Sequence, residues 1–91
     1  MTLYLSGRLI CSDAKQAEIV RAHLPEHIRL THLEPGCQSF QVTQTDDPLV
    51  WMVEEAFTDR AAFEAHQACT RVSDWGHATT DIPREYEIRE D

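Results

Sequence analysis

The chain has 91 residues, which fits a single domain over 1–91, and its 42% hydrophobic and 26% charged content is ordinary for a globular protein. Its net charge of -8 argues against nucleic acid and against anionic membrane surfaces as partners. Cys11, Cys37 and Cys69 are odd in number and form no C-x-x-C pair, so neither a disulfide framework nor a zinc ribbon is expected. With no signal peptide pattern and no membrane-length apolar run, a cytoplasmic protein is expected.

The first half of the chain predicts a strand, a long helix and a second strand. Residues 2–11 alternate in the manner of a strand. Asp13 and Gln16 have the spacing of a capping box, and apolar residues recur at helical spacing as far as His32. Pro25 falls inside this pattern, so a bend is expected there rather than an end. "EPGC" then ends the helix, and residues 37–44 form the second strand.

The second half predicts an antiparallel hairpin, a second helix and a last strand. Residues 49–57 form the third strand, and the helix over about 59–69 is capped by Thr58 or Asp59. A short helical piece is expected over 71–78 and the fourth strand over 81–91. The order β-α-β-β-α-β is that of the ferredoxin-like α+β fold with an antiparallel sheet.

A homodimer is expected because the helices would cover only one face of the sheet. A chain of this length buries only roughly two-thirds of its unfolded surface, so its own core would be thin. A second copy packed on the bare face, through an apolar interface, would supply the missing burial.

The second helix carries a histidine on a face that should point inward. His66 follows Phe63 by three residues, so both lie on one side of the helix. Strand alternation puts Glu55 on the same side of the third strand as Trp51 and Phe57. A carboxylate among apolar neighbours needs a partner, and His66 held by Glu55 would suit a general base. A purely structural hydrogen bond between the two remains the alternative.

Three other groups are candidates for chemistry. Cys69 follows His66 by three residues and could form a nucleophilic pair with it, although a buried, inert thiol is the more common case. His23 and His27 have i, i+4 spacing, which can bind a metal, but no third ligand is evident, so no metal site and a solvent-facing helix flank are expected. Trp75 would either cover a pocket or pack at an interface.

Three segments carry a resemblance to a known family: "GRLICSDAKQAEIV" (7–20), "EPGCQSFQVTQTDDP" (34–48) and "VEEAFTDRAAFEAH" (53–66). Together they resemble the antibiotic biosynthesis monooxygenases, also known as proposed quinol monooxygenases, over almost the whole chain. The resemblance implies a dimeric α+β barrel in which each protomer holds a pocket between sheet and helices.

The resemblance also implies that Glu55, Phe57 and His66 lie near that pocket. Some similar proteins degrade haem with an Asn, a helix Trp and a histidine that ligates iron. This chain contains no Asn and has His66 at the Trp position, although His77 lies roughly where the ligand would be. Haem degradation is therefore not expected.

These observations lead to the hypothesis of a cofactor-independent monooxygenase that acts with O2 on a phenol- or quinol-like aromatic molecule. His66 would take the hydroxyl proton, and Glu55 would orient His66. The walls for a flat substrate ring would come from Phe40, Trp51, Phe57 and Trp75. Two alternatives stay open: an isomerase or lyase that enolises a small carbonyl compound, and a non-catalytic dimeric module that binds a small molecule.

Overall fold

The computed structural model describes all 91 residues and contains one four-stranded antiparallel sheet with three helices. The elements in chain order are β1 (Leu3–Ile10), α1 (Ala14–His32), β2 (Cys37–Gln44), β3 (Val50–Phe57), α2 (Arg60–Val72), α3 (Asp74–Ala78) and β4 (Arg84–Glu90). The strand order is β2-β3-β1-β4, and each neighbouring pair is antiparallel. The predicted ferredoxin-like α+β fold is confirmed.

The start of α1 follows the predicted capping pattern. The Asp13 side chain accepts a hydrogen bond from the backbone N–H of Gln16 at 2.9 Å. In return, the Gln16 side chain accepts one from the N–H of Ser12 at 2.7 Å. The helix continues through Pro25 to His32, as the resumed apolar pattern predicted.

A single serine separates α2 from α3. Asp59 caps α2, which extends to Val72, three residues beyond the predicted end. Ser73 has an extended backbone, and its hydroxyl donates to the carbonyl of Thr70 at 2.8 Å while accepting from the N–H of Gly76 at 3.0 Å. The hydroxyl thus stabilises the end of one helix and the beginning of the next.

The core fills the space between the helices and one face of the sheet. It contains 15 buried apolar residues: Leu3, Leu5, Leu9, Cys11, Ala17, Val20, Leu24, Phe40, Val42, Trp51, Val53, Phe57, Phe63, Trp75 and Ile82. Their alternation along β1, β2 and β3 is the one the sequence predicted. None of the three helices has the combination of length and apolar composition needed to cross a membrane.

The helix-free face of the sheet is mainly polar. Ser6, Gln41, Thr43 and Glu54 all point to this side and are exposed. Met52 lies among them and is 40% exposed, so this face carries apolar as well as polar side chains. The homodimer itself stays a prediction.

Candidate functional site

A cavity of about 250 Å³ lies between the helix-covered side of the sheet and the helices. Its lining residues are His27, Phe40, Val42, Val53, Glu55, His66, Gln67, Thr70, Trp75, Arg84 and Tyr86. A larger hollow of about 460 Å³ lies on the helix-free face, but its lining contains no histidine. The first cavity brings His27, His66 and Glu55 together with aromatic walls, and it is therefore the candidate site.

His66 lies on the wall of this cavity, with each ring nitrogen next to an acidic side chain. The residue is only 4% exposed. Its Nδ1 is 2.7 Å from Oε1 of Glu34, a hydrogen bond, whereas its Nε2 is 3.8 Å from Oε1 of Glu55. Since 3.8 Å is too long for a hydrogen bond, Glu34 and not Glu55 holds the imidazole, which corrects the sequence-based prediction. Nε2 makes a long hydrogen bond of 3.4 Å with Oγ1 of Thr70, which lines the same cavity.

A tight turn after α1 brings Glu34 to His66. Gly36 has a φ of 85°, and a Cβ at this position would lie 2.6 Å from the Cβ of Ala62 on α2. The Gly36 carbonyl also accepts a hydrogen bond from the N–H of Thr58 at 2.8 Å. The turn thus packs directly against the start of α2 because glycine permits both the conformation and the close approach. The "EPGC" motif contains Glu34, but its sequence predicted only the end of a helix.

Glu55 is a buried acid whose Oε1 has no hydrogen-bond partner in the protein. It is 8% exposed and lines the cavity from β3. Burial, followed by the negative charge of Glu34, raises the pKa of Glu55 to about 7. At neutral pH its carboxyl group therefore exists in both protonation states, and it is available to a ligand in the cavity.

His27 is a second buried histidine in the cavity, which corrects the expectation of a solvent-facing flank. It is 7% exposed and stacks on Trp75, with ring centroids 4.7 Å apart and planes inclined by 3°. The packing of α3 against α1 covers a helix position that solvent would otherwise reach. Burial, followed by the nearby His66 and Arg84, lowers the pKa of His27 to about 4, so its imidazole is neutral at physiological pH. No group of three or more potential ligands is arranged to hold a metal ion.

The four aromatic residues predicted as walls divide into two groups. Phe40 and Trp75 line the cavity. Phe57 is fully buried behind His66, with ring centroids 5.0 Å apart. Trp51 does not belong to the site: it lies four residues along β3 from Glu55, roughly 13 Å away. There its ring packs under the guanidinium of Arg21 at 6.0 Å.

Cys69 is exposed, so the expectation of a buried thiol was wrong. Its position three residues after His66 turns it to the outer flank of α2, outside the lining of the cavity. The pairing of Cys69 with His66 as a nucleophile and base has no hydrogen bond to support it.

Arg84 and Tyr86 enter the site from β4, and in the sequence nothing but strand alternation marks either residue. The Arg84 guanidinium donates hydrogen bonds to the carbonyl oxygens of Thr79 at 3.0 Å and Ile82 at 3.1 Å, and to Oγ1 of Thr79 at 2.7 Å. These three bonds fix the guanidinium against the turn before β4. Burial is the main cause that raises the pKa of the Tyr86 hydroxyl, which stays protonated.

Together, the fold and the site define a small α+β protein with a ligand-sized cavity, open on the β4 side, and a buried acid–histidine cluster. The sequence matches the family model described as antibiotic biosynthesis monooxygenase over residues 11–77, and the chain belongs to that family. No curated protein is significantly similar to it in sequence.

Solved structures confirm the architecture. A proposed antibiotic biosynthesis monooxygenase from Nitrosomonas europaea superposes with a TM-score of 0.82 at 22% identity, covering 98% of this chain and 89% of that one. A second, from Deinococcus radiodurans, gives 0.80 at 19% identity, covering 98% and 91%. Rv0793 from Mycobacterium tuberculosis gives 0.78 at 18% identity, covering 100% and 95%. At these identities the likeness extends to the fold alone.

Proposed function

We propose that this protein is a cofactor-independent monooxygenase that oxidises a phenol- or quinol-like small molecule with O2, and that His66 is the base. The observation that carries the proposal is the imidazole held at Nδ1 by Glu34, at 2.7 Å, on the wall of an aromatic cavity. Membership of the antibiotic biosynthesis monooxygenase family supports the reaction class.

The hydrogen bond to Glu34 selects the tautomer of His66 that a base requires. Since the carboxylate accepts the proton carried by Nδ1, the lone pair of the neutral ring lies on Nε2, which faces the cavity. A substrate hydroxyl beside Nε2 can transfer its proton there, and the carboxylate stabilises the resulting imidazolium. Glu55, on the same edge of the ring, supplies a second acceptor for the hydroxyl.

Deprotonation makes the substrate itself the reductant. The phenolate passes one electron to O2, and the resulting radical pair joins at a ring carbon that bears hydrogen, forming a C–O bond. The peroxide takes a proton from His66. Loss of the ring hydrogen as a proton and cleavage of the O–O bond then release water and leave a carbonyl, so that phenol and O2 become quinone and water.

Oxygen consumption with single-ring phenols and quinols tests this proposal. Chelator-treated protein is mixed with each compound, and O2 uptake and quinone absorbance are followed together. We expect one quinone formed for each O2 consumed. Hydrogen–deuterium exchange at a substrate carbon without O2 uptake would instead establish the enolising enzyme, and binding with neither reaction would establish the non-catalytic module.

A further inference from the structure

Arg84 is a cation at the candidate site without an anionic partner. Five of the seven arginines in the chain form ion pairs with carboxylates, and only Arg71 and Arg84 do not. Arg84 nevertheless lines the cavity, close enough to lower the pKa of His27 and to affect that of Tyr86. The cavity therefore contains a positive charge that no acid of the protein pairs with.

The hydrogen bonds of Arg84 leave part of the guanidinium available. A guanidinium has five N–H groups. Three hydrogen bonds go to Thr79 and Ile82, two from Nη1 and one from Nη2. The Nε–H and the second Nη2–H donate to no carbonyl or carboxylate of the protein, and the Tyr86 hydroxyl is the polar group beside the guanidinium. These two N–H groups lie on one edge of the planar group, which matches the two oxygens of a carboxylate.

The opposite end of the cavity carries groups that can accept a hydrogen bond from a hydroxyl. The register of the sheet pairs Arg84 with Leu9 of β1 and pairs Glu55 with Leu5, so the two residues are separated by two strands and four residues along the strands. This corresponds to roughly 16 Å between their Cα atoms. Glu55 Oε1 is buried without a partner, and His66 Nε2 lies beside it.

The size of the cavity limits what can lie between these two ends. Its volume is about 250 Å³. A cavity of about 150 Å³ holds benzene, so this one has room for a substituted aromatic ring. Phe40 and Trp75 supply flat apolar walls for such a ring.

We propose that the cavity selects a single-ring aromatic acid, with its carboxylate bound by Arg84 and its hydroxyl bound by Glu55 and His66. This inference rests on the proposed function and names the substrate class for the same site. Arg84 is then a specificity-determining residue, because it distinguishes an anionic phenol from a neutral one of the same shape.

Matched ligand pairs test the inference by titration calorimetry under anaerobic conditions, where no turnover occurs. The ligands are 3- and 4-hydroxybenzoate, each compared with its neutral amide. A charge-assisted hydrogen bond predicts that at least one acid binds about tenfold or more tightly than its amide. If neither acid is preferred, the inference is wrong, whatever the variants show.

The variant Arg84→Gln should abolish this preference by weakening acid binding about tenfold or more and leaving amide binding within about threefold. Arg71→Gln is the matched control, since Arg71 also lacks a carboxylate partner but lies outside the lining of the cavity. A preference that persists in Arg84→Gln would overturn the assignment. Arg84→Lys, which keeps the charge, should retain part of the preference for the acid over its amide.

The binding test is independent of the proposed reaction. A charge preference without any O2 consumption would support Arg84 and contradict the monooxygenase proposal. Equal binding of acid and amide, combined with O2 consumption on neutral phenols, would support the monooxygenase proposal and contradict the role of Arg84.

Discussion

Glu34 and His66 are 32 positions apart in the chain, yet Oε1 of one lies 2.7 Å from Nδ1 of the other. The contact joins the loop after α1 to the middle of α2, and Gly36 makes it possible by letting the loop approach Ala62. With the Glu34 carboxylate at Nδ1, the imidazole presents Nε2, its proton-accepting nitrogen, on the cavity side. This relationship is the basis of the proposed chemistry.

The variant Glu34→Gln should lower turnover by about tenfold, less than the loss of the base itself. Glutamine keeps the size of the side chain but removes the charge that stabilises the imidazolium. Glu26→Gln is the control, because Glu26 is an exposed α1 residue that pairs only with Arg29. Steady-state O2 consumption measures the effect. Equal turnover in both variants would show that the hydrogen bond to Glu34 is structural only.

The variant Glu55→Gln should gain stability relative to the wild type as the pH rises. The folded protein holds the Glu55 proton up to a pKa of about 7, against an ordinary value of 4.5. Stability that is present below pH 4.5 is therefore lost as the pH rises through 7. Glutamine does not titrate, so the free energy of unfolding of Glu55→Gln should rise relative to that of the wild type by about 2–3 kcal/mol between pH 4.5 and 8.

Urea unfolding at several pH values measures this difference. Glu54→Gln is the control, because Glu54 is the neighbouring residue on the exposed side of β3. If the stability of the Glu55→Gln protein parallels that of the wild type across this range, the carboxyl group is not protonated in the folded state at neutral pH.

The variant His27→Phe should show the opposite trend, a gain in stability relative to the wild type as the pH falls. Its pKa is about 4 in the folded protein, below the ordinary value of 6.5, so the unfolded chain binds the proton first. The stability that the neutral ring contributes is present above pH 6.5 and is lost as the pH falls through 4. His27→Phe keeps an aromatic ring against Trp75 and should gain about 2–3 kcal/mol over the wild type between pH 7 and 4.

The same urea experiment, with His23→Phe as the half-exposed control on α1, tests this prediction. The pH ranges over which Glu55 and His27 change the folding stability overlap between pH 4.5 and 6.5. Their effects oppose each other there, so the wild-type curve alone cannot separate them. A His27→Phe curve that shows no relative gain in acid would mean that His27 is protonated inside the fold.

Local patterns were sufficient to predict the fold because each element carries its own period and its own caps. Alternation in β3 also put Glu55 on the buried side, and helical spacing put His66 inward. The partner of His66 could not be predicted in this way, since Glu34 reaches it through a turn whose packing is not local. The burial of His27 likewise depends on α3, a five-residue helix that packs across α1.

The position of Trp51 illustrates another limit. Alternation correctly gave its side of β3 but not its distance along the strand from the cavity. Arg84 was missed for a related reason. Its strand position carried no chemical signal until the turn at Thr79 and Ile82 fixed its guanidinium beside the cavity.

The central claim is that His66 is the base, and the rate of O2 consumption by His66→Ala tests it most directly. On a phenol that the wild type oxidises, the variant should be slower by about 100-fold or more. His77→Ala, which changes an exposed histidine of α3, should keep the wild-type rate. Both variants should remain folded by circular dichroism. A folded His66→Ala protein with the wild-type rate would contradict the assignment, and a loss of several kcal/mol in its unfolding free energy would make His66 a structural residue.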